Sequence, residues 1–209
     1  MAEDLLSELE FEFSIKQSDN MDIAHLLLSF DGQAKLWDDD AGEDLVIARI
    51  NGVRIDITLA RKSFDNLQDL FDSISSDVSD LGSHILSNNN CYVEAFSPSE
   101  KEETICNALI FIEELIVNKK YRSKGIGKEM LKRMSGIVDM NNALVALKAV
   151  PIVDDQAVGR SHQLYQKLKQ FYTQLGFNHS GEHFMVKDAR DCHAQRMRSL
   201  ANEGVNPDQ

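Results

Sequence analysis

The residues best equipped for chemistry form one short run, Tyr121-Arg122-Ser123-Lys124-Gly125-Ile126-Gly127-Lys128, directly behind the apolar stretch Ala108–Val117. A strand-like segment passes through a basic turn with two glycines into a helix-like segment. Free backbone N–H groups at a helix start attract anions, and glycines let a phosphate approach the backbone closely. Residues 118–133 carry seven bases (Lys119, Lys120, Arg122, Lys124, Lys128, Lys132 and Arg133) against the single acid Glu129, in a chain of net charge −12. A basic island in an acidic protein suits a compact polyanionic ligand, such as a phosphate-bearing cofactor, better than a long one. The plain alternative is a tight turn leading into a solvated helix face.

Other chemistries find less support. No Ser/His/Asp or Cys/His arrangement is visible. His179 and His183 are four apart but flank Gly181 in what reads as a turn, so no metal pair is expected. Cys91, Cys106 and Cys192 are odd in number and widely spaced, which suggests neither a disulfide framework nor a zinc pattern. Reduced thiols in a cytoplasmic protein are the simple reading. The acidic balance argues against nucleic acid as the main partner, because phosphate neutralisation needs concentrated Lys and Arg. No apolar run approaches the roughly 20 residues of a membrane span, and the acidic opening lacks the basic segment of a secretory signal. Hydrophobic residues at 43% of the 209 suffice for a sizeable core.

The elements that must position this turn follow from periodicity. Phe11–Ile15 alternates like a strand, and Ile23–Phe30 with Ala34–Trp37 reads as a strand pair around Asp31-Gly32. Leu45–Leu59, interrupted by Asn51-Gly52, reads as a hairpin with a two-residue type I′ turn that sets Ile50 opposite Val53. Between Phe64 and Leu86 apolar residues recur every three or four positions, as in one amphipathic helix or two short ones. Cys91–Phe96 is a short strand candidate and Ser97–Glu103 a charged loop. The strand 108–117 comes next, then the basic turn and a helix at 125–139 with the stripe Ile126, Met130, Leu131, Met134, Ile137, Val138. Ala143–Val150 reads as a strand stopped by Pro151. A long polar loop precedes a helix near 160–175, Phe184–Val186 reads as a last strand, and a short helix could follow Ala189.

Residues 108–187 resemble the GNAT superfamily of acyl-CoA-dependent N-acyltransferases. The motif Arg122-Ser-Lys-Gly125-Ile-Gly127 has that family's signature order at a strand-to-helix turn. Phe171-Tyr172-Thr-Gln-Leu-Gly176-Phe177 matches its second signature, near the end of the last long helix. The resemblance implies an α+β, GNAT-like fold: a central, mostly antiparallel, twisted sheet flanked by helices, with a divergent N-terminal half. It implies a single domain, with residues 1–107 divergent, 108–187 binding acyl-CoA and carrying catalysis, and 188–209 a tail. Members are often homodimers.

The activity implied is acetyl transfer from acetyl-CoA, the cosubstrate, to a primary amine by direct attack in a ternary complex, with no enzyme nucleophile. The backbone of Leu115, Ile116 and Val117 would pair with the pantetheine arm. Arg122, Ser123, Lys124, Gly125, Ile126, Gly127 and Lys128 would hold the phosphates. Glu113, nine residues before Arg122, stands where many members keep a carboxylate that takes the proton of the amine. Strand alternation would put Phe111, Glu113 and Leu115 on one face and Ile112, Glu114 and Ile116 on the other. Position favours Glu113 over Glu114, with two surface or ion-paired acids as the ordinary alternative. Tyr172 is the candidate general acid toward the departing thiolate, or else a core tyrosine.

Departures from the family pattern bear on these expectations. Tyr165 stands where many members carry an Asn that contacts the pantetheine, and a helical stretch of some 20 residues precedes the strand at 108–117. The acceptor is expected to be a small-molecule or peptide amine, cationic on the weak ground of the acidic surface. A non-catalytic acyl-CoA-binding sensor or interaction module and a toxin-type enzyme acting on aminoacyl-tRNA are the alternatives.

Overall fold

The computed structural model describes residues 2–18, 22–86, 106–153, 156–157, 162–181 and 183–189. The elements in chain order begin with α1 (Ala2–Glu8), β1 (Glu10–Gln17), β2 (Leu27–Asp38) and β3 (Glu43–Asp56). They continue with α2 (Ile57–Ser63), α3 (Leu67–Ile74), α4 (Ser76–Ile85), β4 (Ala108–Val117) and α5 (Ile126–Met134). The chain then forms β5 (Ala143–Lys148), β6 (Ile152–Val153), β7 (Gln156–Ala157), α6 (His162–Gln174), β8 (Asn178–Ser180) and β9 (Phe184–Asp188). The strand candidate Cys91–Phe96, the loop Ser97–Glu103 and the helix expected after Ala189 lie outside the described residues.

Among the described residues one sheet runs β1-β2-β3-β4-β5-β9-β8, and β6 with β7 makes a separate hairpin. All neighbours in the large sheet are antiparallel except β4 and β5, which are parallel with Ala108 opposite Ala143 and Ile112 opposite Leu147. A parallel pair needs a crossover, and here α5 supplies it. The expected α+β, mostly antiparallel architecture holds. Helices cover both faces at the centre, so β4 over residues 108–112 and β5 over 143–147 are buried continuously. On one face Ile110, Ile112 and Val145 pack with Ile126, Met130 and Met134 of α5 and with Tyr172 and Phe177. On the other Leu109, Phe111, Leu144 and Ala146 pack with Leu70, Phe71, Val78, Leu81 and Ile85 of α3 and α4.

Two expected turns are continuous strand. β2 passes straight through Asp31-Gly32, and β3 straight through Asn51-Gly52, so the predicted hairpin and its Ile50–Val53 pairing do not exist. Each strand interior gains a ladder on both sides, which outweighs a dipeptide's local turn preference. Gly52 serves another purpose: a Cβ there would collide with the Phe111 carbonyl oxygen. It lets β4 come close where the β3–β4 register slips. The actual β2–β3 turn is at Asp38–Gly42, where the Asp38 carboxylate accepts from the Asp40 and Ala41 N–H groups and Gly42 takes φ +67°.

The helical stretch resolves into separate helices because each carries its own cap. Asp56 accepts from the Leu59 N–H, Asn66 from Gln68 and Ser75 from Val78. In α5 Ile126, Met130 and Met134 are buried, with Val138 beyond its end, whereas Ile137 is exposed. β8 lies next to β9 and has no counterpart in the elements expected from periodicity.

Candidate active site

The register slip places Asn51 opposite Glu114 and Gly52 opposite Ile112, leaving Glu113 as the extra residue of a β-bulge in β4. A bulge of one residue re-aims the side chains that follow it. Ile110 and Ile112 face the α5 side before it, and Leu115 and Val117 face that same side after it. The predicted alternation therefore fails: Phe111 packs with α3 and α4, while Leu115 packs toward α5. Glu114 follows Asn51, whose amide donates to its carboxylate at 3.4 Å.

Beyond Ile112 β4 parts from β5, whose pairing ends at Leu147, while β4 stays paired with β3 through Val117. The parting opens a cavity of about 490 Å³. It is lined by Glu113, Glu114, Leu115, Ile116 and Val117 on β4, by Leu147 and Lys148 on β5, and by Leu164, Lys167, Leu168, Phe171 and Tyr172 on α6. Tyr121, Arg122, Ser123, Gly125, Ile126, Gly127 and Lys128 close one end. The lining includes both Leu115 and Glu114, whose side chains lie on opposite faces of β4.

At the closed end the chain turns without a side-chain cap. Gly125 is the residue before α5, at φ +85°, and supplies no side-chain hydrogen bond to the first N–H groups of that helix. Ser123 also has a positive φ, of 60°. Left-handed residues alternating with others point successive N–H groups into one concavity, and the helix dipole adds positive potential there. Arg122 Nε donates to the Val117 carbonyl at 2.9 Å and ties the turn to the end of β4. Gly127 sits where three elements converge: a Cβ there would lie 3.5 Å from the Phe171 ring, 3.7 Å from Val117 and 3.9 Å from Leu115.

Of the residues expected to bind the cosubstrate or carry catalysis, Lys124 alone is absent from the lining. It is exposed, and its ammonium lies 5.3 Å from the centroid of the Tyr121 ring. Tyr172 is buried, with its ring edge-on between Phe171 at 5.0 Å and Phe177 at 5.7 Å. Burial pushes its phenol far above the ordinary tyrosine value, so it stays a neutral O–H donor. Glu113 has a raised pKa, chiefly because burial disfavours its charge and further because Asp31, Asp77 and Glu114 lie near. Tyr165 does not reach the cavity. It lies two helical turns above Tyr172, stacked edge-on against His183 at 5.9 Å with Lys169 over its face.

Sequence reasoning did not single out Lys148, Lys167 or Phe171 as site residues; the loop from Pro151 to Arg160 is expected to shape an acceptor pocket, and Pro151 lines the cavity. Lys148 ends β5 and binds Asp77 of α4 at 2.6 Å. The break of its strand by Pro151 is the available signal for a cavity edge, and Phe171 is half-buried beside Tyr172. Among the described residues no cluster of ligating side chains could hold a metal. Among the described residues no helix is long and apolar enough to cross a membrane.

No protein-family model and no curated protein matches the chain. Solved structures do. A KacTA–DNA complex aligns over 91% of this chain and 99% of its own, with 9% identity and a TM-score of 0.42. AtaTR bound with AcCoA covers the same shares at 9% identity and a TM-score of 0.40. Arabidopsis thaliana NAA60 in complex with acetyl-CoA covers 86% of this chain and 98% of its own, at 12% identity and 0.42.

Proposed function

We propose that this chain is an acetyl-CoA-dependent N-acetyltransferase of GNAT type, acting on a primary amine. The observation that carries the reading is the cleft itself. It runs from the uncapped start of α5 between the parted strands to the bulged Glu113 and the buried Tyr172. The chain's own groups fit the cosubstrate. The N–H groups behind Ser123, Gly125, Ile126 and Gly127 would receive the pyrophosphate, with Arg122 and Lys128 adding charge. Lys124 would act from outside the cavity on the more distant phosphate. The β4 backbone from Leu115 to Val117, unpaired on its β5 side, would receive an extended arm, although the Val117 carbonyl already accepts from Arg122.

Acetyl-CoA, when bound, supplies an acyl group activated as a thioester. Glu113 accepts the proton of the ammonium acceptor, and its raised pKa makes it a better base than an ordinary carboxylate. Tyr172 holds its proton at neutral pH and donates it, or a hydrogen bond, toward the sulfur of the leaving thiolate. Leu115, Leu168 and Phe171 keep that part of the cleft apolar.

A thiol-release assay with acetyl-CoA against amines, peptides and charged tRNA tests the reading. Turnover with an amine supports it. Tight binding of acetyl-CoA with no turnover on any acceptor would favour the sensor alternative. The carboxylates Glu113 and Glu114 in the cleft lining count against a polyanionic acceptor such as tRNA.

A further inference from the structure

β1 ends the large sheet, and among the described residues no strand pairs with its outer edge. The Ser18 N–H donates to the Leu27 carbonyl at 3.3 Å, next to the last pair of the β1–β2 ladder. Backbone groups alternate along an antiparallel strand, so residues 10, 12, 14 and 16 also bond toward β2. The N–H and C=O groups of Phe11, Phe13, Ile15 and Gln17 therefore point to the open edge. Such an edge is a template for another strand, and natural sheets blunt it with a proline, a bulge or a charge on the packed face. β1 has none of these. It contains no proline, its register with β2 is unbroken, and Phe11, Phe13 and Ile15 share the face turned to α5. The Phe13 ring lies over Gly32, and the Arg133 guanidinium sits 4.1 Å from the centroid of the Phe11 ring, so both rings are held in place. Ile15 is left exposed.

We propose that β1 pairs with β1 of a second copy of this chain, antiparallel about a two-fold axis at Phe13, so that the two sheets become one. This register sets Phe13 against Phe13, Phe11 against Ile15 and Glu10 against Lys16 of the other copy. The first two pairings join residues with outward backbone groups, so they are the hydrogen-bonded ones. Glu10 meets Lys16 in a non-hydrogen-bonded pair, where side chains come closest. Among the described residues neither Glu10 nor Lys16 forms an ion pair within the chain. An axis at Ser14 would set Phe11 against Gln17, and Lys16 against Glu12, whose carboxylate already binds Lys35. An axis at Glu12 would put two Glu12 carboxylates face to face. Apolar and charge complementarity thus coincide in one register, and the same eight residues supply both sides. That self-complementarity selects a second copy over a foreign strand, and it is independent of what the cleft binds.

Sedimentation equilibrium of the full chain at low salt tests the pairing and should show a reversible monomer–dimer equilibrium. Glu10→Lys and Lys16→Glu, each alone, should raise the dimer Kd by about tenfold or more, because each sets like charges together twice. The Glu10→Lys, Lys16→Glu double variant should recover the dimer, since both pairs return with their signs exchanged. Ile15→Pro removes an outward N–H without touching the β1–β2 ladder, so it should give a monomer with unchanged circular dichroism. Should that variant lose its fold, the charge exchange decides alone, because Glu10 and Lys16 are exposed. A monomer at every concentration, a dimer that survives a folded Ile15→Pro, or single reversals that the double variant does not rescue would each overturn the proposal.

Discussion

Tyr172 and Glu113 occupy environments that push both protons in the directions the chemistry requires. Tyr172→Phe removes one oxygen from a buried ring held by Phe171 and Phe177, so the packing should survive. Turnover should fall by about tenfold or more, with acetyl-CoA affinity unchanged by calorimetry. Undiminished turnover would remove Tyr172 from the acid role. For Glu113 the sign is fixed by its raised pKa: the base is lost as pH falls, and it is lost earlier than an ordinary carboxylate would be. The acid limb of kcat/KM should therefore lie above the usual glutamate range and disappear in Glu113→Gln. Asp77→Asn removes a neighbouring negative charge and frees Lys148, so that limb should move to lower pH. The folded chain also binds this proton more tightly than the unfolded one. The group thus favours folding at low pH, and that contribution is lost as pH rises through its folded value.

The elements act through their ends. The turn before α5 depends on two glycines for different reasons, and substitutions should separate them. Gly125→Ala places a Cβ in a left-handed residue, at a cost of about 1–2 kcal/mol in stability read by denaturant unfolding. Gly127→Leu has no such strain. Its side chain would grow past Phe171, Val117 and Leu115 into the cleft, so acetyl-CoA binding should be abolished while the fold persists. Unchanged affinity in that variant would sink the assignment of the cavity to the cosubstrate. In the sheet, Gly52→Ala forces a Cβ against the Phe111 backbone at the bulge. It should destabilise the protein by about 1–3 kcal/mol in the same assay.

Across the whole molecule charge is uneven, with seven bases and one acid within residues 118–133 of a chain of net charge −12. Arg122 and Lys128 line the cleft beside the start of α5, and Glu113 and Glu114 line it along β4. The Lys124→Glu, Lys128→Glu variant should weaken acetyl-CoA binding by about tenfold or more at low salt, and by less as ionic strength rises, because exposed charges are screened. Salt-independent weakening would point to damage of the turn rather than lost charge.

Much of the cofactor end was legible in the chain because its signals are local. An apolar run, two glycines at a strand-to-helix turn and a cluster of lysines each act within a few residues of sequence. Gly176 likewise follows from a stop signal, whereas Phe171-Tyr172 stands out through the family resemblance. The acceptor end was not legible. Asn51-Gly52 is a strong hairpin dipeptide in isolation, and only pairing of β3 on both edges makes it continuous strand.

By itself, then, the sequence determined a basic, glycine-bearing turn that would suit a phosphate, the strand and helices that frame it and, through the family resemblance, two candidate proton carriers. The tertiary structure decided what lies opposite them. A bulge forms only where a partner strand lets the backbone come close, as Gly52 does. That bulge reverses which side chains of β4 face which way, and it brings Glu114 into register with an aspartate 83 positions earlier in the chain. No local pattern encodes such a register, because it results from the packing of strands that are distant in sequence.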